Sequence, residues 1–176
     1  KQLLFEPGDP FSQRLLNESA RILRNNRYLY DADVRPVSVT DGKVGVEVRT
    51  HDVWSLTPDV SFSRSGGENR TGLGLEETNL LGRGRLLRLK YIDNVDRNSK
   101  RLEFEDLHLG DGWVSMFLRL SENSDGHSNY LSVIRPFHAL DARWSAGGIV
   151  FDDDRRTALY RLGNEASEFQ HRREYA

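Results

Sequence analysis

The chain has 176 residues, 37% of them hydrophobic and 30% charged, which is room for one ordinary domain or two small ones. Lys and Arg number 25 against 27 Asp and Glu, a net charge of -2, so the chain lacks the basic field that draws proteins to nucleic acid, and no nucleic-acid partner is expected. Cysteine is absent, which excludes disulfides and thiolate metal sites, and no run of about 18 apolar residues forms a transmembrane helix. A membrane β-barrel escapes that test, because only every second residue of its strands is apolar.

In chain order, Asp9-Pro10 predicts a helix start: a carboxylate to accept from free amide donors, then a proline whose missing donor costs nothing. Phe11, Leu15, Leu16, Ser19, Ile22 and Leu23 follow helical spacing, and Asn25-Asn26 ends the run. Leu3, Leu4 and Phe5 before it read as the end of a strand. Val34, Val37 and Val39 form an extended run around Pro36, and Thr40-Asp41-Gly42-Lys43 is a hairpin turn, since Asp-Gly tolerates positive φ. Val44, Val46 and Val48 alternate on the return strand. A helix on a short hairpin makes a small α+β unit.

From about Asp52 onward the pattern is strand, turn, strand. The strand from Trp54 to Phe62 is turned by Ser65-Gly66-Gly67. Leu73 and Leu75 lead to the turn at Gly82 and Gly84, after which Leu87, Leu89 and Tyr91 alternate with polar neighbours. Asp93 to Ser99 reads as a polar loop, Arg101 to Leu109 as a strand, and Gly110-Asp111-Gly112 as its turn. Val114, Met116, Leu118 and Leu120 then share one face. Ser121 to Ser128 reads as another polar loop, followed by strands over 130–137, 141–151 and 156–162. The expected fold is mostly β, an antiparallel meander closed as an up-and-down barrel or folded as a sandwich, with the α+β unit before it. Trp54, Tyr91, Trp113, Tyr130, Phe137, Trp144 and Phe151 near strand ends fit the interfacial girdles of a barrel, or the rim of a soluble sheet. Arg88, Lys90, Glu103, Glu105, Arg119, Arg135 and Arg143 are placed on the polar face.

No enzyme is expected. His51, His108, His127, His138 and His171 lack metal-ligand spacing, and the serines lack a Gly-x-Ser-x-Gly elbow. Gly72-Leu73-Gly74 and Gly82-Arg83-Gly84 precede strands, not helices, so neither cradles a phosphate. Asp152-Asp153-Asp154, with Glu165 and Glu168 nearby, has the oxygen chemistry for calcium, but a solvated turn is the simpler expectation. No catalytic residue, cofactor or metal is assigned.

Several segments, in this order, resemble the Omp85 superfamily of outer-membrane proteins (BamA/TamA, surface antigen D15). They are Gly8-Asp9-Pro10-Phe11, Leu23 to Leu29, Thr40 to Val44, Thr50 to Pro58, Asn79 to Gly84 and Arg135-Pro136-Phe137. The resemblance implies a POTRA-like periplasmic unit over 1–51, incomplete, and the N-terminal part of an outer-membrane barrel over 52–176, with seven or eight of about sixteen strands. Lys1 is neither an initiator Met nor the start of a signal peptide, so a longer parent polypeptide is expected. The implied function is outer-membrane protein assembly, insertion or translocation. It acts through a barrel-seam strand, Trp54, Leu56, Pro58, Val60 and Phe62, that templates incoming strands, with Gly82 and Gly84 as a structural turn. A second edge, along Val44 to Val48, would meet passing clients in the periplasm. The implied partners are unfolded outer-membrane or secreted clients and the outer-membrane bilayer. The alternatives are a D15-type barrel serving as export or anchor module for a fused passenger, and a soluble β-sandwich binding protein.

Overall fold

The computed structural model describes residues 2–65, 68–94, 97–161 and 164–176. The chain divides into two compact units, Lys1–Ser55 and Leu56–Ala176.

In the first unit, helix α1 (Gln13–Arg24) packs on a hairpin of β1 (Leu29–Thr40) and β2 (Lys43–Asp52). The helix starts later than Asp9-Pro10 predicts. Gly8, at φ 101°, turns the chain, and the Asp9 carboxylate accepts the Glu6 N–H at 2.8 Å. The cap falls to Ser12, whose Oγ accepts from the Leu15 N–H. Asn25 does end the helix, and the Asn26 amide donates to Leu23 O at 2.8 Å. Leu16, Ala20 and Leu23 meet Ala32 and Val34 in the core. Leu3 and Phe5 pack there too, but not as a strand: the Leu4 N–H donates to the buried Ser19 Oγ at 3.0 Å. Asp41 and Gly42 adopt φ 51° and 71°, as a two-residue hairpin turn requires. The pairing shifts register between Pro36 and Ser38, where the proline supplies no donor.

The second unit is a single antiparallel sheet: β3 (Leu56–Ser65), β4 (Glu68–Leu80), β5 (Arg85–Asp93), β6 (Asn98–Asp106), β7 (Ser115–Asn123), β8 (Gly126–Arg135), β9 (Ala146–Arg161) and β10 (Asn164–Tyr175). Each strand pairs with the next, so the meander is present as one layer and not as two packed sheets. The sheet is not closed: among the described residues, β3 and β10 each have one partner.

The segments 141–151 and 156–162 are not two strands around an acidic turn. β9 runs unbroken through Asp152-Asp153-Asp154, because each carboxylate finds a partner in a neighbouring strand: His127 for Asp152, Arg173 for Asp153 and Gln170 for Asp154. β10 is not foreseeable from the sequence pattern, since its polar residues hide the period of two. The polar stretch 121–128 is mostly strand, with its turn at 124–125; Ser121 and Ser99 share a hydrogen bond at 3.2 Å. Tyr130 and Phe151 are no girdle residues: their parity puts them on the polar face, where Phe117 and Tyr175 lie against them. Trp113 stacks on His138 at 4.5 Å. Arg135 shares parity with Leu131 and Val133 on the apolar face, its guanidinium over the Trp144 ring at 3.8 Å, and Arg143 sits in the connection after β8. Gly66 and Gly67 of the first predicted turn, and Val95 and Asp96 of the 93–99 loop, lie outside the described residues.

The register aligns whole rows across the sheet. Pro58, Leu75, Leu89, Leu102 and Leu120 form one apolar row; Leu87, Phe104, Leu118, Leu131 and Val150 form another. Exposure is inverted relative to a soluble sheet. On the apolar face Val60 is 75% exposed and Leu73 52%, whereas Glu103 and Asp153 on the polar face are 5% and 2%. Polar side chains crowd together and apolar ones splay apart when a sheet curves around its polar face.

Candidate functional site

β3 is the first strand of the sheet, and its pairing with β4 is unbroken from Leu56 to Ser65. Pro58 lies inside that regular ladder opposite Leu75. A proline keeps such a register only where its missing N–H would point away from the partner strand. Backbone direction alternates with the same period as the side chains, so Leu56, Val60, Phe62 and Arg64 share the outward row with Pro58. Their N–H and C=O groups face the free edge, and Pro58 leaves a gap in the donor series. The same parity puts the side chains of Leu56, Val60 and Phe62 on the apolar face, where Phe62 is 71% exposed. Four of the five predicted seam residues are thus brought into one row. Trp54 is not: the strand starts at Leu56, and Trp54 belongs to the first unit.

The attachment of β3 to β4 is light on the polar face. Opposite Asp59 and Ser61 stand Gly74 and Gly72, which offer no side chain. The bridge that does form skips a strand: Lys90 Nζ on β5 reaches Asp59 Oδ2 at 2.7 Å. Gly74 makes that possible, since a Cβ there would sit 3.3 Å from Lys90 Cγ and 3.2 Å from Asp59 Cβ.

Next to this edge runs a ladder of ions. Arg88 Nε donates to Glu76 Oε2 at 2.6 Å and Arg88 Nη1 to Glu103 Oε2 at 2.5 Å; Arg119 Nε reaches Glu103 Oε1 at 2.9 Å. Sequence parity assigned Arg88, Glu103 and Arg119 to one face, but which of them pair became visible only with the register. The turn after β4 is built as expected: Gly82 and Gly84 have φ 70° and 65°, and Asn79 Oδ1 accepts the Gly84 N–H at 2.7 Å. Leu81 in the same turn is also left-handed, at φ 56°.

Outside the strands of the eight-stranded sheet, His108 and Glu47 have shifted titration. Burial holds the His108 imidazole below its ordinary value, against the raising effect of its hydrogen bond to Gly112 O. On β2, hydrogen bonds from Arg49 and Arg35 hold the Glu47 carboxyl below its usual range.

No protein-family model and no curated protein matches the chain. Among solved structures it is similar to the crystal structure of BamA from Haemophilus ducreyi lacking POTRA domains 1-3, at 13% identity and a TM-score of 0.62. The match covers 98% of this chain and 38% of that one, so the chain spans well under half the length of its structural neighbour. The likeness shows the fold alone: the open eight-stranded sheet corresponds to part of a BamA-like β-barrel.

Proposed function

We propose that this chain is the N-terminal barrel portion of an Omp85-type outer-membrane component that assembles, inserts or translocates other proteins. Residues 1–51 would be a POTRA-like periplasmic unit and 52–176 barrel wall. The observation that carries this proposal is the edge of β3: an outward row of unpaired backbone groups at Leu56, Val60, Phe62 and Arg64 on a strand lightly held by Gly72 and Gly74. Such an edge templates an incoming strand by β-augmentation. Backbone hydrogen bonds supply the affinity, and Leu56, Val60 and Phe62 select a client strand with apolar residues on the matching parity. The apolar face lies against outer-membrane lipid, and the partners are unfolded outer-membrane or secreted clients. In the first unit, the β2 edge offers a second pairing surface.

The test is site-specific photocrosslinking in proteoliposomes during insertion of a barrel client. Probes at Val60 and Phe62 are expected to capture the client, with far less capture at Leu102 in mid-sheet. Val60→Pro, which removes a second outward N–H, is expected to cut capture by about fivefold, the worth of one backbone hydrogen bond. Equal capture at Val60 and Leu102, or no effect of Val60→Pro, contradicts the proposal.

A further inference from the structure

The two ends of the eight-stranded sheet differ. At the end where β3 starts, the β6–β7 and β8–β9 connections leave Leu107, Leu109, Phe137, Leu140 and Trp144 exposed. At the opposite end the described turn residues are polar: Ser65, Glu68, Asp93, Asn94, Ser124 and Asp125. The β8–β9 connection, residues 136–145, carries three of the five apolar side chains, and it is braced. Ser145 Oγ donates to Arg135 O at 2.8 Å and Arg135 Nη1 to Trp144 O at 2.9 Å, which ties its two ends together. Within it the Ala142 N–H donates to Ala139 O at 3.0 Å, Ala139 is buried, and His138 stacks on Trp113 of the β6–β7 connection. Fixed in this way, the connection still leaves Phe137 67% and Leu140 80% exposed. Large apolar side chains displayed together on a braced loop mark a contact surface.

We propose that the β8–β9 connection is a bilayer-interface anchor. Phe137, Leu140 and Trp144 enter the phospholipid surface at the end of the sheet where β3 starts, and Arg135 and Arg143 stand at the level of the headgroup phosphates. The proposal rests on the reading that the apolar face meets lipid, and it adds which end of the sheet the interface holds and by which residues. Continuity commits the connection to lipid: Arg135 ends the outward row of Leu131 and Val133, and its guanidinium lies over the Trp144 ring at 3.8 Å, so the connection prolongs the apolar face without a break. Charge points the same way, since Arg135 and the exposed Arg143 stand against one carboxylate, Asp141, and guanidiniums complement phosphate. Tryptophan suits that boundary because its ring is apolar and its N–H finds a polar partner there.

The chain has no cysteine, so Leu140→Cys, Ser124→Cys and Leu89→Cys each give the full protein a single site for an environment-sensitive nitrobenzoxadiazole label. The three proteins are reconstituted into vesicles of phosphatidylcholine and phosphatidylglycerol, with a fraction of the lipid brominated either high or low on its acyl chains. The Leu140 label is expected to emit at shorter wavelength than the Ser124 label at the polar end, and to be quenched more by the shallow bromines than by the deep ones. Arg143→Glu is expected to weaken that quenching and to leave the Leu89 label as it was, which a damaged fold would not do. Water-like emission at Leu140 overturns the proposal, and so does indifference to Arg143→Glu. A shorter wavelength without quenching by brominated lipid also overturns it, because protein and not lipid would then cover the loop. If the Leu89 label is quenched and the Leu140 label is not, the anchor fails and the membrane reading stands. If neither is quenched, both fail.

Discussion

Glu103 accepts from two guanidiniums, those of Arg88 and Arg119, at 2.5 and 2.9 Å in a crowded part of the polar face. Removing the carboxylate leaves both arginines short of a partner, so Glu103→Leu is expected to destabilise the sheet by about 2 kcal/mol, read as a lower urea midpoint in micelles. Leu81 gives the opposite case. It occupies the left-handed region with its side chain 83% exposed, so Leu81→Gly relieves backbone strain and loses no packing. A gain of about 1 kcal/mol is expected in the same measurement. His108 sets a pH dependence. Its folded value is depressed below the ordinary 6.5, so as pH falls the unfolded chain binds the proton first. Its contribution is complete above about 6.5 and lost as pH falls through the folded value. The urea midpoint should therefore drop between pH 8 and pH 5 more in the parent than in His108→Gln.

At the scale of elements, legibility followed how purely each strand alternates. The hairpin at Asp41-Gly42, the turn at Gly82 and Gly84, and the face of Met116, Leu118 and Leu120 were all readable, because local chemistry dictates them. β10 was not, because nearly every position from Ser167 to Glu174 is polar and only cross-strand partners such as Arg173 with Asp153 define it as strand. The helix start failed through competition: Asp9 was a sound cap in isolation, but Gly8 let it close its own turn first. Gly126 marks another place where one residue decides an element. At φ 144°, an added Cβ would lie 1.9 Å from Asp154 O, so Gly126→Ala is expected to open the β7–β8 turn and lower the yield of folded protein. A circular-dichroism signal at parental strength for that variant would count against the tight approach of β8 to β9.

For the whole molecule, the sequence showed a period of two but not which face is covered. Val60 and Leu73 look like core residues when read along the chain, and Glu103 and Asp153 look like surface. Their exposures are the reverse, which follows if the polar face is the concave one. The geometry of the candidate seam was partly legible: that Leu56, Pro58, Val60 and Phe62 share one row follows from their parity, while the outward backbone direction of that row required the register around Pro58. The central claim is that lipid covers the apolar face and water the polar one. Nitroxide labels placed singly at Leu87, Arg88, Leu89, Lys90 and Tyr91 in the reconstituted protein test it directly. Oxygen accessibility should peak at Leu87, Leu89 and Tyr91, and accessibility to a water-soluble nickel chelate at Arg88 and Lys90. Uniform access to the chelate at all five positions, or alternation of the opposite phase, would contradict a lipid-facing apolar surface.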